Sequence, residues 1–359
     1  MAARGERVLT RRELNRALLA RQLLLERSQA PIPRVLEGMG GLQAQYAPSM
    51  YIGLWTRMEA FERDDLTRAL ERRSVVQATM MRATIHLVSA RDFWLFTVAV
   101  RDERREWWRR ATRGAPPSEE MRDAAERLQR ALADGPLRRT EIEELLGRER
   151  ARGVGLWLDL VRVPPSGTWD RRRADLYGLA EGWVERPDLA VEDARDLLVR
   201  RYLGGFGPAS AGDIANWAGL SAGAIAPTLE AMNLRRFRSE DGEGLLDLPR
   251  APLPDPDTPA PVRFLPRGTQ CSSRTRAGPA SSLRSTGQRS STRGCPSRSG
   301  RSWSRGRWRG SGAGRTRACS SSRSGRWSAR FVASSTRRLS VWPRSAPEPP
   351  SRATRGPSL

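Results

Sequence analysis

The chain changes character after Pro266, and that break limits how much of its 359 residues can fold around a core. From Arg267 to Leu359 there are 21 arginines and one acid, Glu348, among Ser, Gly and Pro with little apolar periodicity. Residues 1–266 carry 42 arginines against 39 acids, a net of +3. The formal charge of +23 suggests a nucleic-acid binder, yet most of it sits in the tail. A segment this polar buries too little apolar surface to offset its conformational entropy, so residues 267–359 are expected to be disordered. Cys271, Cys295 and Cys319 lie there too, so no disulfide framework holds the main body. The chain has no lysine, and arginine in its place with abundant Ala, Gly and Pro suggests GC-rich coding. No 18-residue apolar run occurs, so no membrane partner is expected. The start, "MAARGERVLTRREL", lacks the apolar core of a signal peptide, and a cytoplasmic, nucleoid-associated location is expected.

Within the patterned part, "LTRRELNRALLARQLLL" recurs apolar at helical spacing behind the cap Thr10, with Glu13 three residues on. "PIPRVLEGMGGLQAQ" reads as a second helix entered through Pro33, "PSMYIGLWTRM" as a third and "RDDLTRALERR" as a fourth. "SVVQATMMRATIHLVS" then fits two strands meeting near Met81 and Arg82, and Ser89 opens a new helix with Asp92 three on. Thr140, with Glu143 in capping position, starts a second such set. The third is the clearest. A helix carries Ile214 and Trp217, Gly219-Leu220 makes the turn, Ser221 caps a second helix, and a hairpin turns at Asp241-Gly242. The expected fold is mainly α with small β-hairpin wings, as three tandem winged helix-turn-helix units. Their spans are residues 1–135, 136–195 and 196–250, followed by a proline-rich linker over 251–266 and the tail over 267–359.

Four stretches, "GGLQAQYAPSMYIGLWTR", "MMRATIHLVSARDFW", "LVRVPPSGTWDRRRADLY" and "GFGPASAGDIANWAGL", are together similar to the winged-helix DNA-binding proteins that include the AlkZ-type DNA glycosylases. The resemblance covers about residues 8–266. It implies tandem winged helices followed by a small β-barrel entered through Phe-Leu-Pro-x-Trp/Phe-Asp. Phe264, Leu265 and Pro266 match that entry, and then the sequence departs. If the tail serines use TCN codons, the bases encoding "RGTQCSS", read two bases later, permit Trp, Asp and then a run of small and aliphatic residues. A lost reading frame therefore accounts for a missing barrel. The other reading of the tail is a basic arm, whose Arg-Trp pieces suit nucleic acid.

The resemblance also implies that Gln43 and Gln45, which match a Gln-x-Gln motif, are catalytic toward alkylated purines and alkylpurine crosslinks in double-stranded DNA. On residue chemistry alone, the pair merely caps a helix end or bonds backbone near Pro48. Glycoside cleavage ordinarily needs an acid for the leaving group and a carboxylate for the sugar. An N7-alkylpurine is already cationic, so amides suffice. With no lysine, a Schiff-base lyase step lacks its usual nucleophile. His86, the single histidine, should face outward if Ile85 and Leu87 face the core, and with Arg82 at the strand tip it is an expected DNA contact. Arg171, Arg172 and Arg173 are a second, by phosphate neutralisation or else as a solvated charge run. Trp107 and Trp108 read as a packing face. One histidine without cysteines nearby makes no zinc site, so neither metal nor cofactor is expected, and a monomer is. The alternatives to a glycosylase are a non-catalytic DNA-binding regulator and an inactive truncated product.

Overall fold

Local capping chemistry starts most of the helices. β1 (Val8–Leu9) leads into α1 (Arg11–Arg21), where the Thr10 hydroxyl accepts from the Glu13 amide and the Glu13 carboxylate accepts from the Thr10 amide. Pro33 lies in the first turn of α2 (Ile32–Met39). Gly40 and Gly41, with φ of 75° and 80°, end that helix in the left-handed region and release the chain as β2 (Leu42–Gln43). The helix expected to run on through Gln45 therefore stops at Met39. α3 (Ala47–Arg57) and α4 (Arg63–Glu71) lead to a hairpin of β3 (Val75–Thr79) and β4 (Ile85–Ser89), joined by a 3₁₀ turn at Met81–Ala83. The Ser89 hydroxyl accepts from the Asp92 amide and opens α5 (Ala90–Ala111). This computed structural model describes residues 6–266, all within one unit, Met1–Arg284. The tail over 267–359, with its expected disorder, its lost frame and the missing barrel, lies outside the described residues.

The next set is α6 (Ser118–Leu132), β5 (Leu137–Arg138), α7 (Arg139–Leu146), α8 (Arg148–Gly153), β6 (Leu160–Arg162) and β7 (Leu176–Leu179). α7 starts before the expected cap Thr140. At its start the Arg138 backbone amide donates to the Glu141 carboxylate, while Glu143 accepts from Arg139 at 2.7 Å. The last set is α9 (Val191–Phe206), α10 (Ala211–Ala218), α11 (Ala222–Ala231), β8 (Arg235–Ser239) and β9 (Gly244–Asp247). Here the sequence signals fall where expected. Gly219 ends α10 at φ 74°, Ser221 caps α11, and Gly242 turns the hairpin at φ 83°. About half of the described residues are helical.

The strands form two sheets. One has the order β2-β4-β3-β6-β7-β5, so the hairpin of the first set and the strands of the second share one sheet through the Gln77–Arg162 pair. The other is β1-β8-β9, in which the chain start runs parallel to β8. The β3–β4 hairpin is sandwiched. Val75 and Leu87 join the cluster built by α2, α3 and α4, whereas Val76, Ala78 and Val88 join the cluster built by α5, α9 and α10. A third cluster gathers α6, α7 and α8 around Trp108, which meets Trp157 edge-on, while Trp107 is exposed. Only half of the expected tryptophan packing face is thus buried.

Two close contacts fix the helices around the site. Gly205 in α9 lies against α2, where an added Cβ would stand 2.5 Å from the Met39 carbonyl oxygen. Asp92 of α5 accepts both arms of Arg201 of α9, at 2.7 and 2.8 Å, and Glu37 of α2 stands 3.7 Å from the same guanidinium. The proline-rich stretch after β9 is anchored along its length. The Thr258 carbonyl accepts from Arg16, the Phe264 carbonyl accepts from Thr56, and Arg263 donates to the carbonyls of Leu24 and Leu25.

Candidate active site

Because the chain is extended after Gly41, Gln43 and Gln45 obey the two-residue period of a strand rather than the helical one. Leu42 and Ala44 are buried in the α2–α4 cluster, which turns the two glutamines together to the opposite face. β2 is the edge strand of its sheet, with β4 its paired neighbour. Gln43 is half-buried beside its register partner His86, and Gln45 is exposed. The Gln45 Oε1 accepts from the Ile85 amide at 3.1 Å, which orients that side chain while leaving a second lone pair on the oxygen. Among the described residues, the Gln43 amide has no hydrogen-bond partner.

A cationic loop stands beside this pair. Ser166 shapes it, donating to the Arg173 carbonyl at 2.7 Å and accepting from the amides of Asp175 and Leu176. The loop exposes Arg171, Arg172 and Arg173. Arg172 donates to the Tyr46 hydroxyl at 3.3 Å, so the loop reaches the residue next to Gln45. Tyr46, 54% exposed, was not singled out by the sequence reading, although it directly follows the Gln-x-Gln motif. Trp169 of the same loop packs edge-on against Tyr51 of α3. The nearby carboxylates are in ion pairs, Asp175 with Arg173 at 3.1 Å and Asp170 with Arg63 at 3.7 Å.

Arg82 and His86 are turned inward, against the expectation that they face DNA. Arg82 sits in the 3₁₀ turn at φ 51° and donates to the Trp217 carbonyl, which ties the turn to α10. His86 is 3% exposed because α5 folds back over the face of the hairpin that was expected to meet solvent. Burial pushes its pKa down to about 4, Arg82 and Arg104 add to that, and the hydrogen bond with the Thr84 carbonyl opposes it. His86 is therefore neutral at physiological pH and offers no charge to phosphate.

That depressed pKa has a consequence for stability. The unfolded histidine, with its ordinary value of 6.5, takes up its proton first as pH falls. The contribution of His86 is thus fully present above about pH 6.5 and is lost toward pH 4, by about 3 kcal/mol in total. The urea midpoint of the wild type should fall further between pH 7 and 4.5 than that of His86→Gln. A constant difference would contradict this.

An edge strand thus carries two aligned amides beside an arginine-rich loop. The family described as DNA glycosylase AlkZ-like matches residues 36–268, about two thirds of the chain, and the chain belongs to that family. The match ends where the sequence changes character. Among solved structures, the DNA glycosylase AlkZ of Streptomyces sahachiroi is similar in fold, with a TM-score of 0.57, 19% identity, and coverage of 67% of this chain and 70% of that one. No curated protein matches the sequence. Among the described residues, no group of three or more His, Cys, Asp or Glu is placed to hold a metal ion, and no helix is long and apolar enough to cross a membrane.

Proposed function

We propose that the protein is a monofunctional DNA glycosylase that releases cationic N-alkylated purines from duplex DNA or unhooks alkylpurine crosslinks. The observation that supports this best is the shared face of Gln43 and Gln45 at a sheet edge, within a chain of the AlkZ-like family. Alternate residues of a strand stand about 7 Å apart, so the two amides can flank one sugar. As the neutral purine leaves, positive charge passes to the sugar ring. The Gln43 and Gln45 carbonyl dipoles favour that charge and hold the attacking water. The neighbouring carboxylates are already engaged by Arg173 and Arg63, which suits a substrate that needs no protonation. The helix-and-hairpin sets ending in β3–β4, β6–β7 and β8–β9 read as three winged-helix units lying along DNA. Release of N7-methylguanine from a duplex, compared with release of uracil, tests the reading. The charged base should be excised and uracil left, because nothing at the site protonates a neutral leaving group. Equal rates would overturn it. The frame-restored chain supplies the barrel that the resemblance implies.

The bond from the Ile85 amide to Gln45 favours a second reading, a non-catalytic DNA-binding protein in which this amide merely closes the strand edge. DNA binding without release of any alkylated base would establish it.

In either reading Arg171, Arg172 and Arg173 meet phosphate. Replacing all three by Ala in residues 1–266 should reduce the slope of log affinity against log salt by roughly two to three units. An unchanged slope, measured by fluorescence anisotropy on a duplex, would move the contact elsewhere.

A further inference from the structure

The protein buries two arginines that the glycosylase chemistry does not use. Arg104 of α5 is 5% exposed and Arg162 of β6 is 8% exposed. Both line a cleft together with Thr79, Thr97, Asp159 and Tyr177. Among the described residues, Nε and Nη2 of Arg104 and Nε of Arg162 have no hydrogen-bond partner. Burial lowers the Arg104 pKa to about 10, which still leaves a full cation at neutral pH. Arg162 also lies over the Tyr177 ring at 4.7 Å, a contact that engages the face of the guanidinium.

The positive charge of the cleft is not balanced from within. Asp159, the carboxylate in the lining, is bonded to Arg101 at 2.6 Å, and Arg105 of α5 is paired in turn with Asp102 at 3.4 Å. Unpaired charges with unmade hydrogen bonds are costly in a protein interior, and an anion that accepts those bonds removes the cost. A guanidinium edge matches an oxyanion two bonds at a time. The cleft offers about 40 Å³, room for a few waters or one small ion. It is also separate from the glutamine pair. Gln43 pairs with His86 and His86 with Ala78, so the cleft wall at Ala78 stands two strands in from Gln43.

We propose that this cleft is a binding site for a small free oxyanion of the phosphate class, held by Arg104 and Arg162. Its occupation stabilises the junction of α5 with the shared sheet.

Thermal unfolding of the full chain, titrated with inorganic phosphate at constant ionic strength, tests this. The wild-type midpoint should rise and saturate. Arg104→Met should unfold at a higher temperature than the wild type without phosphate, since it removes the unmade bonds, and its apparent phosphate affinity should be at least about tenfold weaker. Arg162→Met, as a second variant, should weaken the phosphate response in the same way. Arg130→Gln, on the exposed face of α6, should keep the wild-type response. A wild type indifferent to phosphate would overturn the proposal. So would an undiminished response in both methionine variants, which would assign phosphate binding to other arginines. An Arg104-dependent shift given by duplex DNA but not by phosphate would also overturn it, in favour of a DNA backbone contact.

Discussion

Asp247→Ala should cost about 3–5 kcal/mol of stability, a large part of what a typical domain has. Asp247 and the Arg21 side chain are essentially inaccessible, at 0% and 1% exposure. The carboxylate accepts both arms of Arg21, at 2.7 and 2.9 Å. Arg21 also donates to the carbonyls of Leu203 and Pro252, so one guanidinium joins α1, α9, β9 and the stretch after β9. Removing the carboxylate leaves that cation buried without its counter-charge, which is the costly case. Arg21→Met together with Asp247→Leu should recover much of the loss, because the charge leaves along with its partner. Urea unfolding of Arg21→Met, Asp247→Leu and their double variant forms a cycle. A loss below about 1 kcal/mol for Asp247→Ala would show that the pair is not the clamp described.

The sequence made some of this legible because the signals were local. Thr10 with Glu13, Ser89 with Asp92, and Gly219 through Ser221 each act within three residues, and each sits where it was expected. The Gly40-Gly41 pair carried the same kind of information but was read as helix interior, which put Gln43 and Gln45 on the wrong geometry. Once both glycines are left-handed, the spacing that separates the amides on a helix aligns them on a strand. Long-range pairing left no such trace. Nothing near Gln77 or Arg162 announces that β3 meets β6, and nothing near His86 announces that α5 will fold back over it. Arg104 lies in "RDERREWWRR", whose tryptophans read as a packing face, and only the packing of α5 against the β3–β4 hairpin shows that this arginine is buried too. The glutamines were singled out through the family resemblance. Composition and periodicity alone leave them as helix-capping amides.

Gln43→Ala and Gln45→Ala should each lower the rate of base release by roughly 10- to 1000-fold, or about 1.4 to 4 kcal/mol of transition-state stabilisation. The amides face a charge that develops only as the bond breaks, so duplex affinity should scarcely change. Gln45 is oriented by the Ile85 amide whereas the Gln43 amide has no such anchor, so ordering on substrate is required mainly of Gln43. The two act on one centre, and their effects should not simply add. The most direct measurement is single-turnover release of N7-methylguanine from duplex DNA by the protein joined to the barrel that the family resemblance implies, with and without the Gln43→Ala, Gln45→Ala double substitution, at matched, saturating protein. The account predicts release by the wild type and a loss of at least about 100-fold in the double variant with binding intact. Full activity in the double variant would contradict it.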